Sequence, residues 1–338
     1  MSTSLNVLMQ SSDFYCPFAG VMLESLFYNN VDFEKIKVYL ISDGIGDENL
    51  KKLDDLSGKY GREIEFIDGK KISGLLKSYN MIEWHGSITL YCKLLALDFI
   101  QDDIDRLLYL DSDMIVNSSL KELVESDLQN NIIGMAGKYI CAPHIKNVEG
   151  HSGCNHNGGM ILFDVHKWKD NNCTQNILVH LRDVQSRYLC VDEDILDVVV
   201  KKIKTLDYKF NTVVPYVTFR SKGGVSAYNN TTCSKLTCTE TEWNNAYDNP
   251  VVLHYLSWLC KRPWCKNSDS PMLDIWEKYL NMSPWNDIER IDDNRSILNK
   301  IQGILFKILP LGIFSFINRN MTTLIVNLRE KKIRQNKN

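Results

Sequence analysis

The first part of the chain alternates short apolar runs with longer stretches at helical spacing. Residues 5–9 (LNVLM) form an apolar strand that ends in the polar SSDFY. PFAGVMLESLFYNN then carries Val21, Met22, Ser25 and Leu26 on one helical face and stops at Asn29-Asn30. IKVYLISDG predicts a second strand that turns at Asp43-Gly44, DENLKKLDDLSGKYG an acid-capped helix closed by Gly61, and REIEFID an alternating third strand. Further on, SITLYCKLLALDFI predicts a helix, RLLYLDSDMIV a strand, GGMILFDVHKW a strand leading into a helix, DEDILDVVVKKI a helix with acids at its start, and VVLHYLS a late strand. Repeated strand-helix units predict a parallel sheet covered by helices on both faces. Residues 227–249, rich in Asn, Thr and Ser, predict a long surface loop.

Within RLLYLDSDMIV, Asp111 and Asp113 interrupt an apolar run. Side chains at i and i+2 of an extended backbone point the same way, so both carboxylates can reach one cation. Two carboxylates held together in an apolar setting repel unless a positive charge lies between them, and a divalent metal supplies it economically. Taken alone, D-x-D equally describes a strand-end turn with two solvated acids. A haloacid-dehalogenase-type phosphatase also places D-x-D after a strand, but a Thr usually follows, and here Met114 stands there. The remaining common use is to hold the diphosphate of a sugar nucleotide through a metal. Asp111 would stand at the C-terminal edge of the sheet, where α/β sheets place their ligands.

Length and composition narrow the setting. At 338 residues and 44% hydrophobic, the chain can bury a full core. The net charge of −3 hides an asymmetry: residues 295–338 carry nine Lys/Arg against one acid, +8, which leaves −11 on the rest. An acidic body argues against nucleic acid as a partner. MSTSLNVLMQSSD lacks the basic start and long apolar run of a secretory signal, so a cytoplasmic location is expected and the ten cysteines are expected to be reduced.

The ordered motifs SSDFYCPFAGVMLESLFYNN, HGSITLYCKLLALDFI, YLDSDMIV, HNGGMILFDVHKW, DEDILD and HYLSWLCKRPW together resemble the family 8 glycosyltransferases over about residues 5 to 265. The resemblance implies a GT-A fold, a Rossmann-like mixed sheet flanked by helices. It also implies a retaining transfer of galactose or glucose from a UDP-sugar, with manganese as the metal. His254 would join Asp111 and Asp113 as the third metal ligand, and an imidazole added to carboxylates favours Mn(II) over Mg(II), which remains possible. Ser12, Asp13 and Tyr15 correspond to the nucleotide loop; His85 and Gly86 to the ribose and diphosphate side; Lys93 to an Arg usual on the donor helix; and Ser112 to the middle of the metal motif. Asn157, with Gly158 and Gly159, would face the sugar, and Asp192 and Glu193 would be the catalytic-loop acids, with Glu193 where many members carry Gln. Ser257, Lys261 and Arg262 would wrap the diphosphate. Here the chain departs from the pattern: Ser257 replaces a Gly, and Arg-Pro-Trp arrives two residues late.

Two features stand outside that pattern. Cys141, His144, His151 and Cys154 have a C-x2-H and H-x2-C spacing that suits tetrahedral zinc, or else belong to a loop folded over the acceptor. Residues 281–338, beyond a catalytic domain over 1–280, form a basic amphipathic helical tail. It is too short in apolar length to span a bilayer, and suits an in-plane anchor on anionic lipid at the inner face of the cell membrane, or helices packed on the catalytic domain. The expectation is a Mn-dependent retaining hexosyltransferase acting on a lipopolysaccharide, capsule or lipid-linked glycan precursor. The alternatives are a glycogenin-like self-glucosylating protein and a membrane-associated binder of sugar nucleotides without turnover.

Overall fold

The computed structural model describes residues 4–79, 88–140, 150–184, 191–219, 222–225, 235–321 and 324. The first three strands, β1 (Ser4–Ser12), β2 (Lys35–Asp43) and β3 (Glu63–Asp68), lie side by side and parallel. In β1, Leu5, Val7, Leu8 and Met9 are all buried, so both faces are covered. Helix Cys16–Asn29 returns the chain between β1 and β2 and is buried on nearly every side. Helix Asp47–Tyr60 has Asp47 and Glu48 in its first turn and ends at Gly61 in the left-handed conformation (φ 60°), as its sequence predicts.

After β3, the strands β4 (Arg106–Leu110), β5 (Met114–Val116), β6 (Ile133–Met135), β7 (Lys138–Ile140), β8 (Cys154–His156), β9 (Met160–Asp164), β10 (Ile203–Thr205), β11 (Thr212–Val213), β12 (Lys235–Leu236) and β13 (Val252–His254) build three sheets. The main sheet has the order β10-β6-β9-β4-β1-β2-β3; the others are β11-β13-β5 and β12-β7-β8. The main sheet is mixed, as the GT-A resemblance implies, where the strand-helix pattern by itself predicts a parallel one: β9 runs antiparallel to both β4 and β6. It starts beside the C-terminal end of β4, where Met160 faces Leu110, so it can only run back.

Three further expectations change. RLLYLDSDMIV is not one strand but two: at 111–113 the chain leaves the main sheet, and β5 pairs with β13. SITLYCKLLALDFI forms three short turns, Thr89–Tyr91, Cys92–Leu95 and Ala96–Phe99, in place of one helix, and residues 91–97 are buried. DEDILDVVVKKI is α-helical only over Val191–Ile195; Leu196–Val200 is a π turn that ends at Lys201 with φ 59°, where three consecutive valines oppose helix continuation. The expected loop over 227–249 contains β12 and helix Glu240–Asp248, which starts with a capping box between Thr239 and Glu242.

The expected boundary at 280 falls inside packed structure. Trp285 is fully buried and seats on Gly20, Ile288 and Ile291 pack against the same core, and Ile291 bridges to Cys265. A Cβ at Gly20 would lie 2.1 Å from the Trp285 ring. Gly20→Ala is therefore expected to lower stability by about 1–3 kcal/mol, read by urea unfolding, with the unfolding m-value unchanged.

Candidate functional site

Asp111 and Asp113 occupy the seam between two sheets, and the backbone holds them from both sides. The amide of Asp111 donates to the carbonyl of Gly159 at 2.9 Å, and the amide of Tyr255 donates to the carbonyl of Asp113 at 2.9 Å. The Ser112 hydroxyl between them donates to the Gln10 carbonyl at 2.5 Å. His254 faces Met114 across the β5–β13 pair, which carries its ring to the two carboxylates. Its Nε2 lies 3.2 Å from Asp113 Oδ1 and 3.9 Å from Asp111 Oδ2, and ligand atoms of the three residues lie within 4.8 Å of one another.

These residues fit a divalent cation. Two carboxylates and an imidazole are a borderline donor set, suited to Mn(II). His254 Nε2 is buried and has no hydrogen-bond partner among the described residues. Burial pushes the Asp111 carboxyl up, joined by the charge of Asp113, against the pull of Lys93 and His254. Burial also works against ionised Asp113, but the charges of His254 and Arg262 overcome it and hold the group at about 2.

A cleft of about 610 Å³ opens over this edge and is lined by Gln10, Ser12, Tyr15, Asp43, Tyr109 and Arg262, among others. Arg262 donates to Asp113 Oδ2 at 3.0 Å and to the Tyr15 hydroxyl at 3.3 Å, so a guanidinium stands beside the carboxylates at the cleft wall. Its position over the Trp264 ring, which stacks on Phe18, makes that placement rigid.

Behind the carboxylates lies a second cluster. Lys93 is buried, with Nζ 2.6 Å from Asp192 Oδ2 and 2.8 Å from the Gly158 carbonyl. Glu193 accepts from the Gly158 amide at 2.9 Å and from the Tyr139 hydroxyl. Gly158 and Gly159 separate this cluster from His254: a Cβ on Gly158 would meet Asp192 Oδ2 at 2.4 Å, and one on Gly159 would meet His254 Cε1 at 2.4 Å. Asn157 accepts from the Gly159 amide at 3.2 Å and from Asn211 Nδ2 at 2.9 Å.

Not every expected residue comes to the cleft. Asp13 is exposed and lies outside the cleft lining; its Oδ1 accepts from Asn49 Nδ2 and the Gly46 amide, each at 2.8 Å, and these bonds hold its carboxyl below the usual range and tie it to the neighbouring loop. The backbone amide of Lys261 binds Asp269, and its ammonium binds the carbonyls of Lys266 and Asn267, so it ties a turn together away from the cleft lining. Ser257 is half-buried three residues beyond His254 and does not line the cleft. His85, Gly86, Cys141 and His144 lie outside the described residues. His151 is buried between Asp194 and Asp197, at 3.3 and 3.2 Å, and accepts from the Gly153 amide, so both ring nitrogens are engaged without Cys154.

Some site residues were not expected. Asp43 ends β2 at the same sheet edge as Asp111, a signal the strand pattern carried. Tyr109, two residues before Asp111 and so on the same face, donates to Asp111 Oδ1 at 2.5 Å. Tyr139 and Asn211 had no local signal.

A mixed sheet with a carboxylate pair and an imidazole at its edge is the arrangement of a GT-A glycosyltransferase. A solved structure described as an active-site mutant of LgtC matches with a TM-score of 0.62 at 19% identity, over 83% of this chain and 96% of that one. The chain belongs to glycosyl transferase family 8, whose pattern matches residues 6–268. It is 23% identical to general stress protein A of Bacillus subtilis over 84% of this chain and 96% of that protein. To a lipopolysaccharide 1,2-glucosyltransferase of Escherichia coli it is 24% identical over 84% of this chain and 80% of that enzyme. The chain is thus an enzyme, a UDP-sugar glycosyltransferase.

Burial, with the charge of Asp192, pushes the Glu193 carboxyl up to about 8 despite the bonds from Tyr139 and Gly158. The folded protein then holds this proton more tightly than the unfolded chain, whose value is about 4.5, so stability falls as pH rises between the two values. Glu193→Gln is expected to flatten that part of the stability-pH curve, measured by urea unfolding, and to remove a carboxylic-acid infrared band that otherwise disappears near pH 8.

Proposed function

We propose that this chain transfers a hexose, galactose or glucose, from its UDP-sugar to a hydroxyl of a surface-glycan precursor with retention of configuration and dependence on Mn(II). The observation that carries this reading is the triangle of Asp111, Asp113 and His254 at the floor of a cleft large enough for a sugar nucleotide, with an orphaned imidazole nitrogen inside it. Asp111, Asp113 and His254 would hold the cation, which when bound neutralises the diphosphate that departs. Arg262 supplies a fixed positive charge on the same side. Tyr15 offers an aromatic face and Ser12 a hydroxyl at the nucleotide end of the cleft. Asn157 and the main chain of Gly158 would meet the sugar, with Asp192 paired with Lys93 at 2.6 Å. Glu193, in the same cluster, keeps its proton at neutral pH and so presents a neutral carboxyl near the transferring group.

The tail extends the proposal to location. Helix Ile297–Ile308 and the helical stretch over 311–321 turn Leu305, Phe306, Leu309 and the buried Phe314 toward a core that includes Phe219 and Leu259. Their other side exposes Ile297, Ile301, Ile304, Ile308, Ile313 and Phe316, with Lys300 and Arg319 in the same segment. No described helix is long and apolar enough to cross a membrane. This bare apolar side and the basic residues that follow it suit the surface of an anionic membrane, on the cytoplasmic face where sugar nucleotides are supplied.

Release of UDP from UDP-galactose or UDP-glucose should require Mn(II), and Asp113→Ala should lower kcat/KM by about 10³-fold, equal to about 4 kcal/mol. Failure of every UDP-hexose with every divalent cation would overturn the reading. Co-sedimentation with phosphatidylglycerol vesicles, weakened by salt and by phosphatidylcholine, should fall by about tenfold in Ile304→Glu/Phe316→Glu.

A further inference from the structure

Among the residues around the cleft, Asn211 is fully buried, carries no charge and touches no solvent, yet both ends of its amide are spoken for. The direction of its bonds can be fixed from a group that has no freedom. The main-chain N–H of Gly159 only donates, and it lies 3.2 Å from one end of the Asn157 side chain, which must therefore be the oxygen. The same oxygen lies 2.9 Å from an end of Asn211, which must therefore be the NH2 group. The other end of Asn211 is then its oxygen, and it lies 3.0 Å from His254 Nδ1. An amide oxygen only accepts, so Nδ1 carries the hydrogen. In the neutral ring, Nε2, the nitrogen that faces Asp111 and Asp113, then keeps its lone pair; in the imidazolium it carries a second hydrogen toward Asp113 at 3.2 Å, which a cation would displace.

We propose that Asn157 and Asn211 form an amide relay that sets the tautomer of His254 from the Gly159 main chain, and that Asn211 is a positioning residue for the metal ligand. The inference rests on the reading of Asp111, Asp113 and His254 as a cation site. A buried imidazole can place its single hydrogen on either nitrogen, and on Nε2 it would point a donor where a ligand lone pair is needed. Water cannot correct that choice, because Asn211 and His254 are both buried. The relay is tied to the sheet at both ends: Asn211 precedes β11, whose Val213 is the register partner of His254, and Asn157 precedes the glycine pair that leads into β9. Gly159 contributes twice, since its amide starts the relay and its missing Cβ leaves room for the imidazole ring. Asn157 spends its oxygen on the relay, which leaves the nitrogen of the same side chain as a donor for the sugar.

The test uses the full chain and two readouts. In the metal-free protein, at a pH where imidazoles are neutral, long-range 15N–1H correlation should show His254 with its hydrogen on Nδ1. In Asn211→Leu the Nε2–H form should become populated, and Mn(II) affinity, measured by electron paramagnetic resonance without nucleotide, should fall by about 10- to 100-fold. Asn157→Asp keeps an acceptor for both Gly159 and Asn211 and should retain the Nδ1–H form, whereas Asn157→Leu should lose part of it; this pair serves if Asn211→Leu does not fold. A wild-type His254 already carrying its hydrogen on Nε2, or an Asn211→Leu protein with an unchanged tautomer, overturns the relay. Because the tautomer is read without metal, that outcome is separate from a wild-type protein that binds no Mn(II), which would overturn the cation site itself.

Discussion

The repulsion between Asp111 and Asp113 is the constraint that the surrounding structure answers. Two carboxylates at i and i+2 of one turn are held by main-chain bonds to Gly159 and Tyr255, so neither can swing away. Positive and neutral groups then close in from three directions: Arg262 from the cleft wall, His254 from β13, and Lys93 from beneath Tyr109. The result is unequal. Asp113, beside the guanidinium and imidazole, stays ionised, whereas buried Asp111 is pushed toward its neutral form. A divalent cation would relieve what the protein's own charges leave uncompensated.

The sheet explains why those groups meet. Parallel β1, β2 and β4 bring Ser12, Asp43 and Asp111 to one edge, and antiparallel β9 begins at that edge, which places Asn157, Gly158 and Gly159 there. The departure of the chain into β5 pairs it with β13 and imports His254. The cluster of Asp111, Asp113 and His254 is therefore a product of the break in the strand, where the two aspartates end an apolar run.

Much of this was legible in the sequence where the signal was local. The acid-led helix closed by Gly61, the first three strands and the D-x-D could be read from spacing, and the family resemblance supplied His254 before any geometry did. What escaped depended on burial or on distant partners. SITLYCKLLALDFI has helical spacing, which cannot show that the segment divides into three short turns. The Thr239–Glu242 capping box was present but lay in a stretch whose Asn and Thr content suggested a loop. Asp13 has the place after β1 that suits a nucleotide contact, but its Oδ1 also accepts from Asn49 and Gly46, more than thirty residues away, which no local pattern shows. Asn211 had no signal at all, since its use arises only when Asn157 and His254 are brought to either side of it.

Gly158 and Gly159 have a wider consequence. They stand between the acids at 192 and 193 and the imidazole at 254, and a methyl group on either would push one of those side chains aside. The floor of the cleft is thus a single tile, in which a change on the side of Asp192 and Glu193 is felt at once by His254. Diversification toward a new donor or acceptor has to be written on the rim, in side chains such as Tyr15, Asp43 and Thr89, while the tile beneath stays as it is.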